Sequence, residues 1–218
     1  MNPAPSCSPI EFAHRGLPFT HPENTIEGFV AALAKGVDGI EFDVQLAADG
    51  VPVVIHDDNL KRTHGLEDRV SDLDSGRLGE LEVPSLAEVI GLLQDRTRIL
   101  LEMKGEVLAL SQTVARMCAD CENVWLLSFC FPLLAAATKI APARPLVLNL
   151  DMPLEAVPEE QRDFVQVLSV DRRLLLKDQV QRVQAEGKEV WAFTCNTQEE
   201  KETVRALGVN AFFTDNPQ

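Results

Sequence analysis

No run in the 218-residue chain approaches the roughly 20 consecutive apolar residues that a helical membrane span requires. The first residues, Met1-Asn2-Pro3-Ala4-Pro5-Ser6-Cys7, lack the basic region and the apolar stretch of a secretory leader, so a soluble, cytoplasmic protein is expected. Positive charge is scarce: 20 Lys and Arg face 34 Asp and Glu, a formal net charge of −14. Such a balance argues against a nucleic-acid partner, which needs a basic stripe to displace counterions, and against docking on anionic membranes. An anionic substrate therefore has to be drawn in by a local positive site. An even set of cysteines is missing as well. The five, at Cys7, Cys118, Cys121, Cys130 and Cys195, suit a reducing compartment. Cys118-Ala119-Asp120-Cys121 has no second pair with which to build a zinc site, and it falls near an expected helix end. Internal repeats and low-complexity tracts are absent.

What is present is an alternation of short apolar runs with helical patterns, the mark of an α/β fold with a parallel sheet covered by helices. Eight strands are expected, at Ile10–Ala13, Gly39–Val44, Arg98–Met103, Val124–Ser128, Leu146–Leu150, Val165–Val170, Val190–Thr194 and Ala211–Thr214. With 45% hydrophobic residues the length suits one domain over 1–218, as α/β barrels often use it. Residues Val51–His56 read as a further strand. It is set apart because the tight turn at Asp49-Gly50 makes it antiparallel to its predecessor. Three helix starts carry a capping residue with Glu three places on, at Asn24, Ser85 and Thr197, and Gly36 and Gly208 mark two helix ends. In the first helix Ile26, Phe29, Val30 and Leu33 form the expected inward stripe. The segment Asp57–Pro84 is polar and aperiodic, and a stretch this long in a compact fold is commonly functional or ordered by its own packing.

The chemistry-bearing residues gather early in the chain. His14-Arg15-Gly16 and Val54-Ile55-His56-Asp57 bracket Glu41-Phe42-Asp43. Strand alternation puts Ile40, Phe42, Val44 and Leu46 on one face and Glu41, Asp43 and Gln45 on the other. A two-residue turn at Asp49-Gly50 would pair Asp43 with His56, with Cβ atoms roughly 5 Å apart. That pattern is open to two readings: an amphipathic hairpin with solvated acids, or raw material for metal-assisted acid/base chemistry.

The motifs Pro22-Glu23-Asn24-Thr25, Leu60-Lys61-Arg62-Thr63, Leu101-Glu102-Met103-Lys104, Ser128-Phe129 and Thr214-Asp215-Asn216-Pro217 join these. Order and spacing together resemble the glycerophosphodiester phosphodiesterase family, in particular its small bacterial cytoplasmic members, from about Glu11 to Pro217. The resemblance implies a TIM-type (β/α)8 barrel with residues 45–84 as a hairpin plus a small cap after the second strand. It implies that Glu41, Asp43 and Glu102 hold one divalent cation. Clustered carboxylates repel unless a cation sits among them, and their hard oxygens favour Mg²⁺ or Ca²⁺ over zinc. His14 and His56 are the implied acid/base pair. Analogy with related phosphodiesterases makes His14 the base and His56 the acid, an order the sequence leaves open. Arg15 and Lys104 would hold the phosphate; three carboxylates, a divalent ion and these two cations leave one positive charge, matched to a phosphodiester monoanion. Glu23 is expected to orient His14 or Arg15, and Phe193 to pack against glycerol carbons. Asn196 and Asp215 fit family positions, though helix capping and barrel closure explain them equally well. Ser128 and Phe129 are placed at the mouth, Trp191 on the face of Phe193, and His21 and His64 in loops.

The implied reaction is hydrolysis of glycerophosphodiesters to sn-glycerol 3-phosphate and an alcohol. Competing readings are a phosphodiesterase for lysolipids or phosphoinositols, a non-catalytic sensor, and a metal-dependent carbon-bond lyase. The charged Asp57–Pro84 segment offers little to acyl chains, and a sensor or lyase has no evident need for two histidines so placed. Oligomeric state, the preferred alcohol and the choice between direct water attack and a cyclic phosphate are not legible.

Overall fold

The computed structural model describes residues 8–217; Cys7 lies outside the described residues. Eight parallel strands close a TIM-type (β/α)8 barrel. They are β1 (Ile10–His14), β2 (Gly39–Leu46), β4 (Arg98–Met103), β5 (Val124–Ser128), β6 (Leu146–Leu150), β7 (Val167–Asp171), β8 (Glu189–Phe193) and β9 (Ala211–Thr214). Each pairs with the next in that order, and β1 pairs with both β2 and β9, which closes the ring. The eight expected strands are all present, with edges shifted by a residue or two: β2 runs on to Leu46, β7 starts at Val167 and β8 at Glu189. No helix among the described residues is long and apolar enough to cross a membrane.

Alternation along each strand builds two layers. Outward side chains such as Ile40, Phe42, Val44, Ile99 and Leu101 join the core under the helices. Inward side chains fill the barrel: Phe12, Leu100, Leu127, Val147, Trp191 and Phe213 form a separate buried cluster. Trp191 stacks on Trp125 at 4.8 Å and lies 5.1 Å from Phe12, which plugs the interior. Two residues on from that layer, toward the C-terminal ends of the strands, the inward positions become His14, Glu102, Asn149 and Phe193. The period of two thus carries each strand from an apolar plug into a polar mouth.

The helices are α1 (Ile26–Lys35), α4 (Leu86–Leu93), α5 (Leu108–Met117), α6 (Phe131–Thr138), α7 (Glu159–Phe164), α8 (Lys177–Ala185) and α9 (Gln198–Leu207), with α2 (Lys61–His64) and α3 (Ser75–Glu80) in the segment after β2. Capping boxes form at Ser85/Glu88 and Thr197/Glu200, and Gly36 and Gly208 close their helices in the left-handed conformation, as their positions suggest. Two expectations for α1 fail. Thr25, not Asn24, caps it, accepting from the Gly28 amide, because Asn24 is committed elsewhere. Of the expected stripe, Phe29 is buried and Leu33 packs on the core, but Ile26 and Val30 are exposed at 37% and 47%, and Gly28 and Ala32 complete the buried face. The cap's identity moves the helix start by one residue, and the helix turns Phe29 to the core, where its ring lies 5.6 Å from Phe42.

The hairpin register also differs. β3 (Pro52–Val54) pairs Val44 with Val54 and Leu46 with Pro52, one residue off the two-residue turn. Ala47 N–H donates to Val51 O at 3.0 Å and Gly50 N–H to Ala47 O at 2.9 Å. The loop is therefore three residues, Ala48-Asp49-Gly50, with only Gly50 at positive φ (81°). This is the turn-plus-bulge solution, in which a glycine ends the turn. Asp43 consequently faces Ile55, whose N–H its carbonyl accepts at 3.0 Å, rather than His56. Beyond β3 the chain leaves the ladder. The segment to Pro84 packs around its own small core of Leu60, Val70, Leu78 and Val83 against Ala47, Val53 and Ile55.

Gly39, at the base of β2, is where backbone and side chain approach most closely. A Cβ there would stand 2.5 Å from Phe12 Cε1, a ring held on its other side by Trp191. Gly39→Ala is expected to cost about 1–3 kcal/mol by overpacking, read as a lowered urea midpoint with unchanged m-value.

Candidate active site

β1 delivers His14 and Arg15 to the mouth. Arg15 sits at φ 57° and its N–H donates to the Glu41 carbonyl at 2.8 Å, which turns the chain out of the barrel. His14 Nδ1 lies 2.6 Å from Asp215 Oδ1; the carboxylate accepts, so the proton is on Nδ1 and Nε2 points at Glu41 Oε2, 3.8 Å away. Asp215 is fixed in turn by Asn196, whose Nδ2 donates to Oδ2 at 2.6 Å and whose Oδ1 accepts the Asp215 N–H at 2.8 Å. Asn196 and Asp215 thus form a bracket behind His14. Thr197 does the capping.

β2 and β4 supply the acids. Ligand oxygens of Glu41, Asp43 and Glu102 lie within 4.8 Å of one another, and all three residues are buried, at 1%, 1% and 6% exposure. Arg15 Nε stands 3.1 Å from Asp43 Oδ2, and Lys104 Nζ donates to Glu102 Oε1 at 2.7 Å while standing 3.5 Å from Asp43 Oδ1. Asn24, also at positive φ, donates to Asp43 Oδ2 at 2.9 Å and accepts the Asp43 N–H at 3.3 Å. Asn149 donates to Glu102 Oε2 at 3.3 Å. Among the three acids one oxygen, Asp43 Oδ1, is buried without a hydrogen bond, and the Asn149 amide oxygen beside them is another.

The electrostatics are those of crowded acids. Burial, with Asp43 alongside, pushes Glu41 up to about 8. Glu102 is raised by burial and Asp43. Burial acts the same way on Asp43, but Arg15 and Lys104 outweigh it and hold Asp43 low. For His14, burial opposes the charge and is overcome by Glu41 and the Asp215 hydrogen bond, so its pKa rises; for His56 burial prevails and the pKa falls.

His56 reaches the cavity from the segment after β3. Its Nδ1 lies 2.6 Å from Asp57 Oδ1, and its carbonyl accepts from Gln45 Nε2 at 3.0 Å. A cavity of about 150 Å³ is lined by both histidines, Arg15, Lys104, Phe129 and Phe193, among others. Phe193 stands edge-on to Phe129 at 5.8 Å and stacks on Phe213 at 6.2 Å. Glu23 pairs with Arg15, Nη1 to Oε1 at 3.1 Å, and makes no contact with His14. Ser128 lies below the mouth, its hydroxyl spent on the Met103 carbonyl at 2.8 Å. His21 and His64 line a separate, larger cleft of about 790 Å³ between the β1–α1 loop and the cap, and Trp191 is part of the plug. The Cys118 and Cys121 thiols are unpaired, and burial pushes Cys118 up to about 12, far from a redox role.

Three participants escaped the sequence reading. Asn24 read as a helix cap. Asp57 carried a signal in its adjacency to His56. Asn149 was the one polar side chain in the apolar strand Leu146–Leu150, at an inward position.

A profile of the Glycerophosphoryl diester phosphodiesterase family matches residues 14–218. A glycerophosphodiester phosphodiesterase of Bacillus altitudinis is 30% identical over 234 aligned residues, covering 94% of each chain. The structure of an Oleispira antarctica phosphodiesterase in complex with the product sn-glycerol-3-phosphate superposes with a TM-score of 0.87 at 26% identity, covering 96% of this chain and 94% of that one. A Thermotoga maritima glycerophosphodiester phosphodiesterase gives a TM-score of 0.83 at 26% identity over 95% and 94%. Sequence match along nearly the whole chain and agreement of the barrel point the same way: the chain belongs to the glycerophosphodiester phosphodiesterase family of enzymes.

Proposed function

We propose that this enzyme hydrolyses glycerophosphodiesters to sn-glycerol 3-phosphate and an alcohol, using His14 and His56 for proton transfer and one divalent cation, Mg²⁺ or Ca²⁺, at Glu41, Asp43 and Glu102. The observation that carries the reading is the convergence of those three buried carboxylates between two histidines, each oriented by its own carboxylate. The donor set fits a hard cation: it is all oxygen, one of its buried oxygens lacks a hydrogen bond, and Glu41 keeps an elevated pKa because burial and Asp43 outweigh His14 and Arg15. When bound, the ion would supply Lewis-acid stabilisation of the charge that develops on phosphate.

The side chains supply the rest. Arg15 and Lys104 hold the non-bridging phosphate oxygens and offset charge in the transition state. With its Nδ1 proton held by Asp215, His14 presents Nε2 to the nucleophile as base, a role favoured once Glu41's charge is taken up by the cation. His56, held through Nδ1 by Asp57, protonates the leaving alcohol from Nε2 in its doubly protonated form, which Asp57's negative charge favours. Glu23 steadies Arg15, and Phe193 with Phe129 offers an apolar wall to the glycerol carbons. The unpaired thiols of Cys118, Cys121, Cys130 and Cys195 suit a cytoplasmic enzyme.

Release of glycerol 3-phosphate from glycerophosphocholine is expected with Mg²⁺ or Ca²⁺ and not with excess chelator; no release from several diesters would refute the reading. His14→Ala and His56→Ala should each lower kcat by about 10²–10⁴-fold with circular dichroism unchanged. Phosphorus NMR during turnover separates the routes, since a transient five-membered cyclic phosphate arises only if the glycerol hydroxyl attacks first.

Asp215→Asn, which frees the His14 tautomer, is expected to reduce kcat about 10–100-fold with a smaller change in KM. A wild-type kcat would show that Asp215 merely closes the barrel.

Glu41 also makes stability depend on pH in the cation-free protein. A carboxyl whose folded pKa is raised to about 8 binds more protons folded than unfolded between its ordinary value and 8, so its contribution falls as pH rises through that window. Calorimetry in chelator should show Tm falling from pH 5 to pH 8. Added divalent cation should raise Tm more at pH 8 than at pH 5, approaching about 2.7 kcal/mol of stabilisation at a hundredfold excess over Kd. Equal shifts at both pH values would contradict cation binding by Glu41.

A further inference from the structure

Arg62 stands outside the cavity yet touches two of the carboxylates that steer its groups, Glu23 and Asp57. From α2 in the cap, Nη1 donates to Glu23 Oε2 and Nη2 to Glu23 Oε1, each at 2.7 Å, while Nε donates to Asp57 Oδ2 at 2.6 Å. Glu23 Oε1 also accepts from Arg15, and Asp57 Oδ1 accepts from His56. Opposite charges alternate without a gap along Arg15, Glu23, Arg62 and Asp57, and the series ends on the His56 ring.

Building on the hydrolytic reading above, we infer that Arg62 is a positioning residue for the reaction: one guanidinium from the cap sets both the arginine that holds phosphate and the orientation and tautomer of His56. A planar fork with three donors in fixed directions is what allows a single side chain to satisfy both carboxylates. A lysine ammonium is a point charge and cannot reproduce the bidentate grip on Glu23 while also reaching Asp57. Both acids stay ionised at neutral pH. The Arg62 hydrogen bond is the main cause that holds Asp57 down at about 2, and at Glu23 the Arg62 hydrogen bond and Arg15 overcome burial. Asp57 therefore accepts from both sides and keeps one His56 proton on Nδ1, so that Nε2 faces the cavity and is the nitrogen that takes up and gives the second proton.

The site of attachment makes this a catalytic rather than a stabilising device. The Arg62 side chain is 48% exposed, and ion pairs at such positions contribute little to folding. What holds α2 is packing and other hydrogen bonds: Leu60 is fully buried, its N–H donates to the Asp68 carbonyl at 3.0 Å, and the His64 ring donates from Nε2 to the Leu81 carbonyl at 3.0 Å. Removing the guanidinium leaves those anchors in place, so the cap remains folded while its grip on the two carboxylates is lost. On this account the cap does more than cover the mouth; it presents one arginine to the acid/base machinery.

The test uses Arg62→Ala and Arg62→Lys in the full chain with Mg²⁺ and glycerophosphocholine. Arg62→Ala is expected to lower kcat about 10–100-fold with Tm within a few degrees of wild type, and Arg62→Lys to recover only part of the loss. Guanidinium at non-denaturing concentration should speed Arg62→Ala several-fold and leave the wild type unchanged, because the exposed position admits the free ion. Imidazole ¹⁵N shifts of the resting proteins should report a single Nδ1–H tautomer for His56 in the wild type and a mixture in Arg62→Ala. A wild-type kcat in Arg62→Ala would overturn the inference, as would an unchanged His56 tautomer with no rescue by guanidinium. Since the tautomer is read without turnover, it decides the role of Arg62 even if the wild type cleaved no diester, the result that would remove the hydrolytic reading instead.

Discussion

Three carboxylates buried within 4.8 Å of one another are the constraint around which the rest of the barrel mouth is arranged. Each loses its hydration on burial and each repels the others, so the cluster persists only where opposite charge and directed donors converge on it. Arg15 and Lys104 provide the charge, and Asn24 and Asn149 provide the donors. Removal of any of these leaves an acid with less compensation than before, which ties Arg15 and Lys104 to the acids.

The two histidines are handled alike by unrelated parts of the chain. His14 is backed by Asp215 from beyond the last strand, His56 by its neighbour Asp57, both at 2.6 Å through Nδ1. Both rings therefore offer Nε2 to the cavity in a defined tautomer. Asp215 is braced by Asn196 and Asp57 by Arg62, so each histidine rests on a hydrogen-bonded acid that is itself held. The apolar plug below, with Trp191 at its centre, gives these networks a rigid floor and keeps water from the barrel's lower half.

Where the sequence reading departed from the structure, the cause was local ambiguity resolved by packing. Asp49-Gly50 rightly marked a hairpin, but whether such a pair closes a two- or a three-residue loop depends on how the strands twist against the rest, and one residue of slip moved His56 off the position opposite Asp43. Asn24 and Thr25 are both good helix caps. The choice fell to Thr25 because a carboxylate far along the chain claimed the asparagine. The apolar residues Ile26 and Val30 stand exposed because α1 turns Phe29 and Ala32 to the core and sets Gly28 against the β1–α1 loop.

The amino-acid sequence by itself determined the eight strands, the face each side chain takes along the barrel strands, the helix ends at Gly36 and Gly208, and the acids and histidines available at the strand termini. Those features follow from periods of two and of 3.6 and from backbone preferences acting over a few residues. Only the tertiary structure decided that Glu102 meets Asp43 across neighbouring strands, that Asp215 closes onto His14 when the last strand pairs with the first, and that Arg62 joins Glu23 to Asp57. Partners so far apart along the chain meet through ring closure and cap packing, which no local pattern encodes.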